Sequence, residues 1–173
     1  LFQCESIVRT QNPHIVFLEY ALNDEPEQIS VKTFESLIRK LLFLPTHPLI
    51  IVILLTTEHF NDSGVFMRAI CDHYNIAYID IAEILSKQIN SGTISWNNYA
   101  IDETHPSMFG HQLIADEIVT KITHILPNKG NLFTPTDYAT KYFMAPYENL
   151  KTELINQEID QTYTIQKKCA VFW

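Results

Sequence analysis

The chain has 173 residues, 46% of them hydrophobic and 12% aromatic, with twelve Lys and Arg against twenty Asp and Glu for a net charge of -8. That length and apolar content suit about one packed globular domain. The acidic balance and the lack of any extended Lys/Arg cluster exclude the basic footprint of a nucleic-acid binder, so no nucleic-acid partner is expected.

The run His14 to Tyr20 is almost continuously apolar and rich in β-formers, which predicts a strand buried on both faces. It ends at Ala21-Leu22-Asn23-Asp24. From Gln28 to Leu44 the apolar positions Val31, Phe34, Leu37, Ile38, Leu41 and Leu42 recur at helical spacing, with Lys32, Glu35, Arg39 and Lys40 on the other side. Pro45 and Pro48 close that helix. Leu49 to Leu55 reads as a second buried strand, Thr56 to Ser63 as a polar loop, and Val65 to Tyr74 as a helix. Ala77 to Ile81 makes a third, shorter strand, followed by a brief helix from Ile84 to Ile89. A loop through Ser91-Gly92 leads past Trp96 to Asp102-Glu103-Thr104-His105-Pro106, and a last helix turns Leu113, Ile114, Ile118, Ile122 and Ile125 inward, with Pro127 beyond its end.

The composition then changes. Residues 1–130 are expected to form the domain, and residues 131–173 an extension that wraps it or opens a second module. Within that extension only Glu148 to Ile159 has a helical period, and its aromatic content argues against simple disorder. The longest apolar run, Pro48 to Leu55, is too short for a bilayer span of roughly 20 residues, and no basic-plus-apolar leader precedes it, so no membrane span is expected.

Alternation of strands and helices predicts an α/β fold with a parallel sheet and helices on both faces. A strand as apolar as Ile15 to Leu18 is a poor edge strand, so at least one more strand is expected upstream of Leu1. The chain begins with Leu1 and reads as a piece of a longer protein. In such sheets ligands sit off the carboxyl ends of the strands, which is where Asn23 and Asp24 fall.

Asp102 and His105 stand three residues apart on a loop entering a helix. There a carboxylate can reach back to the imidazole Nδ1, fix its tautomer and leave Nε2 as a general base. Taken alone, Asp-x-x-His-Pro fits a helix cap as well as a catalytic pair.

The run Val16-Phe17-Leu18-Glu19-Tyr20-Ala21-Leu22-Asn23-Asp24-Glu25 resembles the third conserved block of SGNH (GDSL-type) hydrolases, and Asp102-x-x-His105-Pro106 with Gly110-His111 resembles their last block. The two blocks keep the family order, and the resemblance covers roughly residues 1 to 126. Phe2-Gln3-Cys4-Glu5-Ser6 is also similar to eukaryotic members. The resemblance implies a three-layer α/β/α flavodoxin-like fold, His105 as general base, Asp102 as its orienting carboxylate and Asn23 as an oxyanion-hole donor. Asn23 also suits a turn that needs left-handed backbone. The family's Gly-Asp-Ser block, which carries the nucleophile, and its block with an oxyanion-hole glycine do not occur in this sequence. Ser63, in Asn61-Asp62-Ser63-Gly64, follows the second strand and reads as loop; Asn61-Asp62-Ser63 also meets the glycosylation acceptor pattern.

The other candidates are weaker. His105 and His111 with Asp102 or Glu103 lack recognisable metal spacing, so no metal is expected. Four glycines and no phosphate loop leave no motif for a nucleotide, and no cofactor is expected. The histidines at positions 14, 47, 59, 73 and 124 read as structural or solvent-facing, and Trp96 lines a cleft or simply packs. Cys71 reads as a buried thiol, while Cys4 and Cys169 are open to pairing with each other or elsewhere. The acceptor pattern and the resemblance lean towards the secretory pathway.

The resulting expectation is a serine ester hydrolase of O-acyl esters, a small-molecule or glycan ester its substrate, with small acyl groups on a carbohydrate, as in acetylated carbohydrate, preferred on family analogy and lipid or other O-esters behind it. Its Ser-His-Asp triad would take the serine from upstream of this chain, so residues 1–173 alone are expected to be inactive. The competing expectation is a non-catalytic pseudo-hydrolase that binds a carbohydrate or another ligand. Retention of both Asp102 and His105 favours the enzyme.

Overall fold

The computed structural model describes residues 2–24, 27–60, 63–126 and 143, with residues 2–6 and 63 described in their backbone only. Three strands, β1 (Ile15–Glu19), β2 (Leu49–Leu54) and β3 (Ala77–Asp80), form one parallel sheet in the order β1-β2-β3. Val16 pairs with Ile50 and Leu18 with Val52 across the first ladder, and Ile53 with Ile79 across the second. β2 is central and buried along nearly its whole length, as its unbroken Leu-Ile-Ile-Val-Ile-Leu sequence requires.

The pleat sends alternate residues into two separate cores. Val16, Leu18, Ile50, Val52 and Leu54 face a layer built from α1 (Phe2–Gln11), α2 (Gln28–Leu42) and α3 (Ser63–Tyr74). Ile51, Ile53 and Ile79 face the opposite layer of α4 (Ile81–Asn90), α5 (Trp96–Tyr99) and α6 (Met108–Ile125). The β1-α2-β2 and β2-α3-β3 crossovers step in one direction across the sheet, so connections of one hand put both helices on one face. The molecule is thus an α/β protein with three layers, and its architecture fits a flavodoxin-like fold.

Periodicity marks neither α1 nor α5. α1 has few apolar positions, and α5 is a single turn in which Ser95 N donates to Asn98 Oδ1 at 2.8 Å. β3 also ends one residue before the expected Ile81. Asp80 accepts from Glu83 N at 2.9 Å, so the same residue that closes the strand caps α4.

The charged side of α2 is a larger departure from expectation. Glu35 and Arg39 are fully buried, because α3 packs over that flank and supplies Tyr74. The Tyr74 hydroxyl donates to Glu35 Oε1 at 2.5 Å, and Arg39 Nη1 donates to the Tyr74 oxygen at 3.2 Å. Burial and the hydrogen bond to Glu35 push the Tyr74 phenol up to about 12. Phe143 N also donates to Glu35 Oε1, at 2.6 Å, and the Phe143 ring lies 5.8 Å from that of His73. The rest of the 131–173 extension, including the helical period at 148–159, lies outside the described residues, as do Cys169, Asn61 and Asp62. Cys71 is a free, buried thiol.

Candidate active site

Asp102 and His105 meet. His105 Nδ1 lies 2.9 Å from Asp102 Oδ2 and 3.1 Å from Oδ1, and Asp102 Oδ1 also accepts from the amides of Thr104 (2.8 Å) and His105 (2.7 Å). Those two amides, and then the imidazole, hold the Asp102 carboxyl down at about 2, so it is ionised at any working pH. With Nδ1 on the carboxylate, the tautomer is set with its proton there. The imidazole is 73% exposed, and among the described residues nothing hydrogen-bonds its Nε2.

The cap of α6 falls to a neighbouring residue. Ser107 is the residue that caps α6, accepting from Gly110 N at 3.1 Å while its own hydroxyl donates to Asn98 O at 2.6 Å. Asp102 has no part in that cap and spends both oxygens on the loop and the imidazole.

The loop is fixed from three sides. Ile101 N donates to His105 O at 2.9 Å beside an antiparallel bridge between Ala100 and Pro106. Trp96 Nε1 donates to Asp102 O at 2.8 Å, which gives the buried Trp96 a tethering role. Glu58 N, from the loop after β2, donates to Glu103 O at 2.9 Å and ties the motif to the carboxyl edge of the sheet. Behind it, Ser107 N donates to Tyr99 O at 2.7 Å, and α6 approaches α5 so closely at Gly110 that a Cβ would collide with the Tyr99 carbonyl oxygen.

Asn23 lies on the same carboxyl edge, in the turn after β1 where Asn23 N (3.2 Å) and Asp24 N (3.0 Å) both donate to Tyr20 O. It is exposed. Positive φ among the described non-glycine residues occurs at Asn12, His47, Phe60 and Asn75, so Asn23 does not serve a left-handed backbone. Its side-chain amide is available for another purpose.

One acidic residue of this edge, Glu19, has no mark in the sequence beyond its place at the end of a strand. Its Oε1 accepts from Leu22 N at 3.2 Å and braces the turn that carries Asn23. Burial raises its pKa, and its charge adds to the burial that pushes the Tyr99 phenol up to about 12. His111 is exposed on α6, and among the described residues no three His, Cys, Asp or Glu side chains gather as a metal site. No described helix is long and apolar enough to cross a membrane.

No protein-family model matches this chain, and no curated protein does. Solved structures do. The chain is similar to a two-domain esterase (CEX) active on acetylated mannans, co-crystallized with mannopentaose, with a TM-score of 0.72 and 21% identity over 85% of this chain. A second structure of a two-domain esterase (CEX) active on acetylated mannans gives a TM-score of 0.63 and 20% identity over 84% of the chain. Each match spans 39% of the esterase's length. At this level of identity the likeness establishes a shared α/β architecture.

Proposed function

We propose that this chain contributes the base and an oxyanion donor to a serine esterase of the SGNH type that removes small acyl groups, acetyl foremost, from a carbohydrate. The observation that carries the reading is the Asp102–His105 pair. It is locked by backbone amides, relieved of capping by Ser107, and tied to the loop after β2 through Glu58. The resemblance to esterases active on acetylated mannans supports the substrate class, and a mannan-type glycan is the preferred one.

In this reading a serine from outside the described residues is the nucleophile. His105 Nε2 takes the serine proton as the hydroxyl oxygen attacks the acyl carbon, and Asp102 stabilises the imidazolium that forms. The acyl oxygen becomes an oxyanion, towards which the Asn23 amide donates. His105 then returns the proton to the departing sugar alkoxide, leaving an acyl-serine that water hydrolyses by the same proton relay.

A fluorophosphonate probe on the full-length protein tests this directly. Covalent labelling that disappears in His105→Ala is the expected result. A folded full-length protein that resists labelling points instead to a pseudo-hydrolase that binds its ligand without turnover.

A further inference from the structure

We propose that Phe60 is a sugar-stacking residue, an aromatic platform beside the Asp102–His105 pair that holds a pyranose ring of the acylated glycan. The identity of the glycan rests on the esterase reading above; the platform rests on the structure of the loop after β2.

Phe60 has a φ of 51°. A bulky aromatic is seldom tolerated in left-handed backbone, where a Cβ crowds the carbonyl oxygen, and such outliers concentrate at functional sites. Two of the other positive-φ positions, Asn12 and Asn75, carry the side chain that accepts this conformation most readily. At position 60 the turn, closed by Phe60 N donating to Thr57 O at 3.0 Å, keeps an aromatic instead.

The ring is held but not buried. It packs edge-to-face on Trp96, with ring centroids 6.4 Å apart and planes at 63°, yet it stays 37% exposed where Trp96 is 8% exposed. Trp96 in turn holds the Asp102 carbonyl, and Glu58, two residues before Phe60, holds that of Glu103. Phe60 is thus fixed to both walls of the loop that carries His105, at the carboxyl edge where parallel sheets take their ligands. An open aromatic surface there suits the apolar C-H face of a sugar ring, whose weakly positive hydrogens are drawn to the electron-rich ring face. An aromatic in left-handed backbone costs stability that edge packing on Trp96 does not require.

The two roles separate in the full-length protein through Phe60→Asn, which deletes the ring and relaxes the backbone, and Phe60→Tyr, which keeps the ring. In Phe60→Asn, kcat/KM on acetylated mannooligosaccharide should fall about tenfold further than on p-nitrophenyl acetate, and the Kd for mannopentaose should rise by a similar factor. Its Tm should hold or rise, and Phe60→Tyr should restore oligosaccharide binding. Equal loss on both substrates with a lower Tm, or mannopentaose binding indifferent to the substitution, overturns the platform. A wild-type protein that binds no mannopentaose overturns it as well. Phe60-dependent binding by a protein that no fluorophosphonate labels sustains the platform and removes the esterase; labelling without Phe60 dependence does the reverse.

Discussion

On the α1–α3 face of the sheet, α2 alone buries nine of its fifteen residues, including the Glu35 and Arg39 charges. On the α4–α6 face, α6 buries only Gly110 of its eighteen. The apolar residues Leu113, Ile114, Ile118, Ile122 and Ile125 pack against the second core but stay partly exposed, and Phe17, pointing to the same side of β1, is 43% exposed. The first face fixes the sheet, and the second carries the candidate site. Stability is not uniform across a fold, and the more deeply buried α1–α3 face is expected to be the last to open.

The sharpest way to probe the contrast is to remove function without touching the core. His105→Ala in the full-length protein should lower kcat/KM by roughly four orders of magnitude or more, since a base cannot be replaced by its neighbours. Its Tm should not move, because the imidazole is 73% exposed. Unaltered turnover would remove His105 from the mechanism.

A matched pair of core truncations compares the faces themselves. Ile70→Ala empties a fully buried position in the α3 layer and should cost about 2–5 kcal/mol in denaturant unfolding. Ile118→Ala, on the partly exposed seam of α6, should cost about 1 kcal/mol. Equal costs would mean that the second face is packed as tightly as the first. Gly110→Ala falls between them, because its methyl meets the Tyr99 carbonyl; a loss of about 1–3 kcal/mol is expected. Since α6 would have to shift from α5, the Asp102–His105 loop should shift too, visible as altered His105 imidazole resonances.

The smallest effect concerns pH. Folding lowers the Asp102 pKa from 3.8 to about 2. A depressed carboxylate contributes stability that is present above 3.8 and lost as pH falls towards about 2. Asp102→Asn should therefore lower stability slightly above that window, converge with wild type below it, and so flatten the acid limb of the stability curve. Its exposure keeps the effect small. A variant with the same acid limb as wild type would show that the local amides do not stabilise this carboxylate.

The three strands, α2, α3 and α6 were legible from the chain, because each buries a long apolar stretch whose period is a property of neighbouring residues. The dyad was legible for the same reason: three residues separate Asp102 from His105, so a single loop brings them together. α1, with few apolar positions, was not, and two further features stayed hidden. α5 is one turn, held by Trp96 and Tyr99 in the second core, and nothing in four residues announces that. Arg39 and Glu35 look like solvent-facing charges on an amphipathic helix until Tyr74 arrives from α3 to cover them.

Sequence by itself therefore determined the α/β alternation, the buried central strand and the contact between a carboxylate and an imidazole, all of which depend on spacing along one stretch of backbone. Only the structure decided that Ser107 and not Asp102 caps α6, that Glu19 braces the Asn23 turn, and that Phe60 stands open against Trp96. The Phe60–Trp96 contact joins segments far apart in the chain, and how the layers pack on the sheet sets it. The Ser107 cap and the Glu19 brace each span three residues, where several neighbours offer the same side-chain chemistry and the folded backbone selects one.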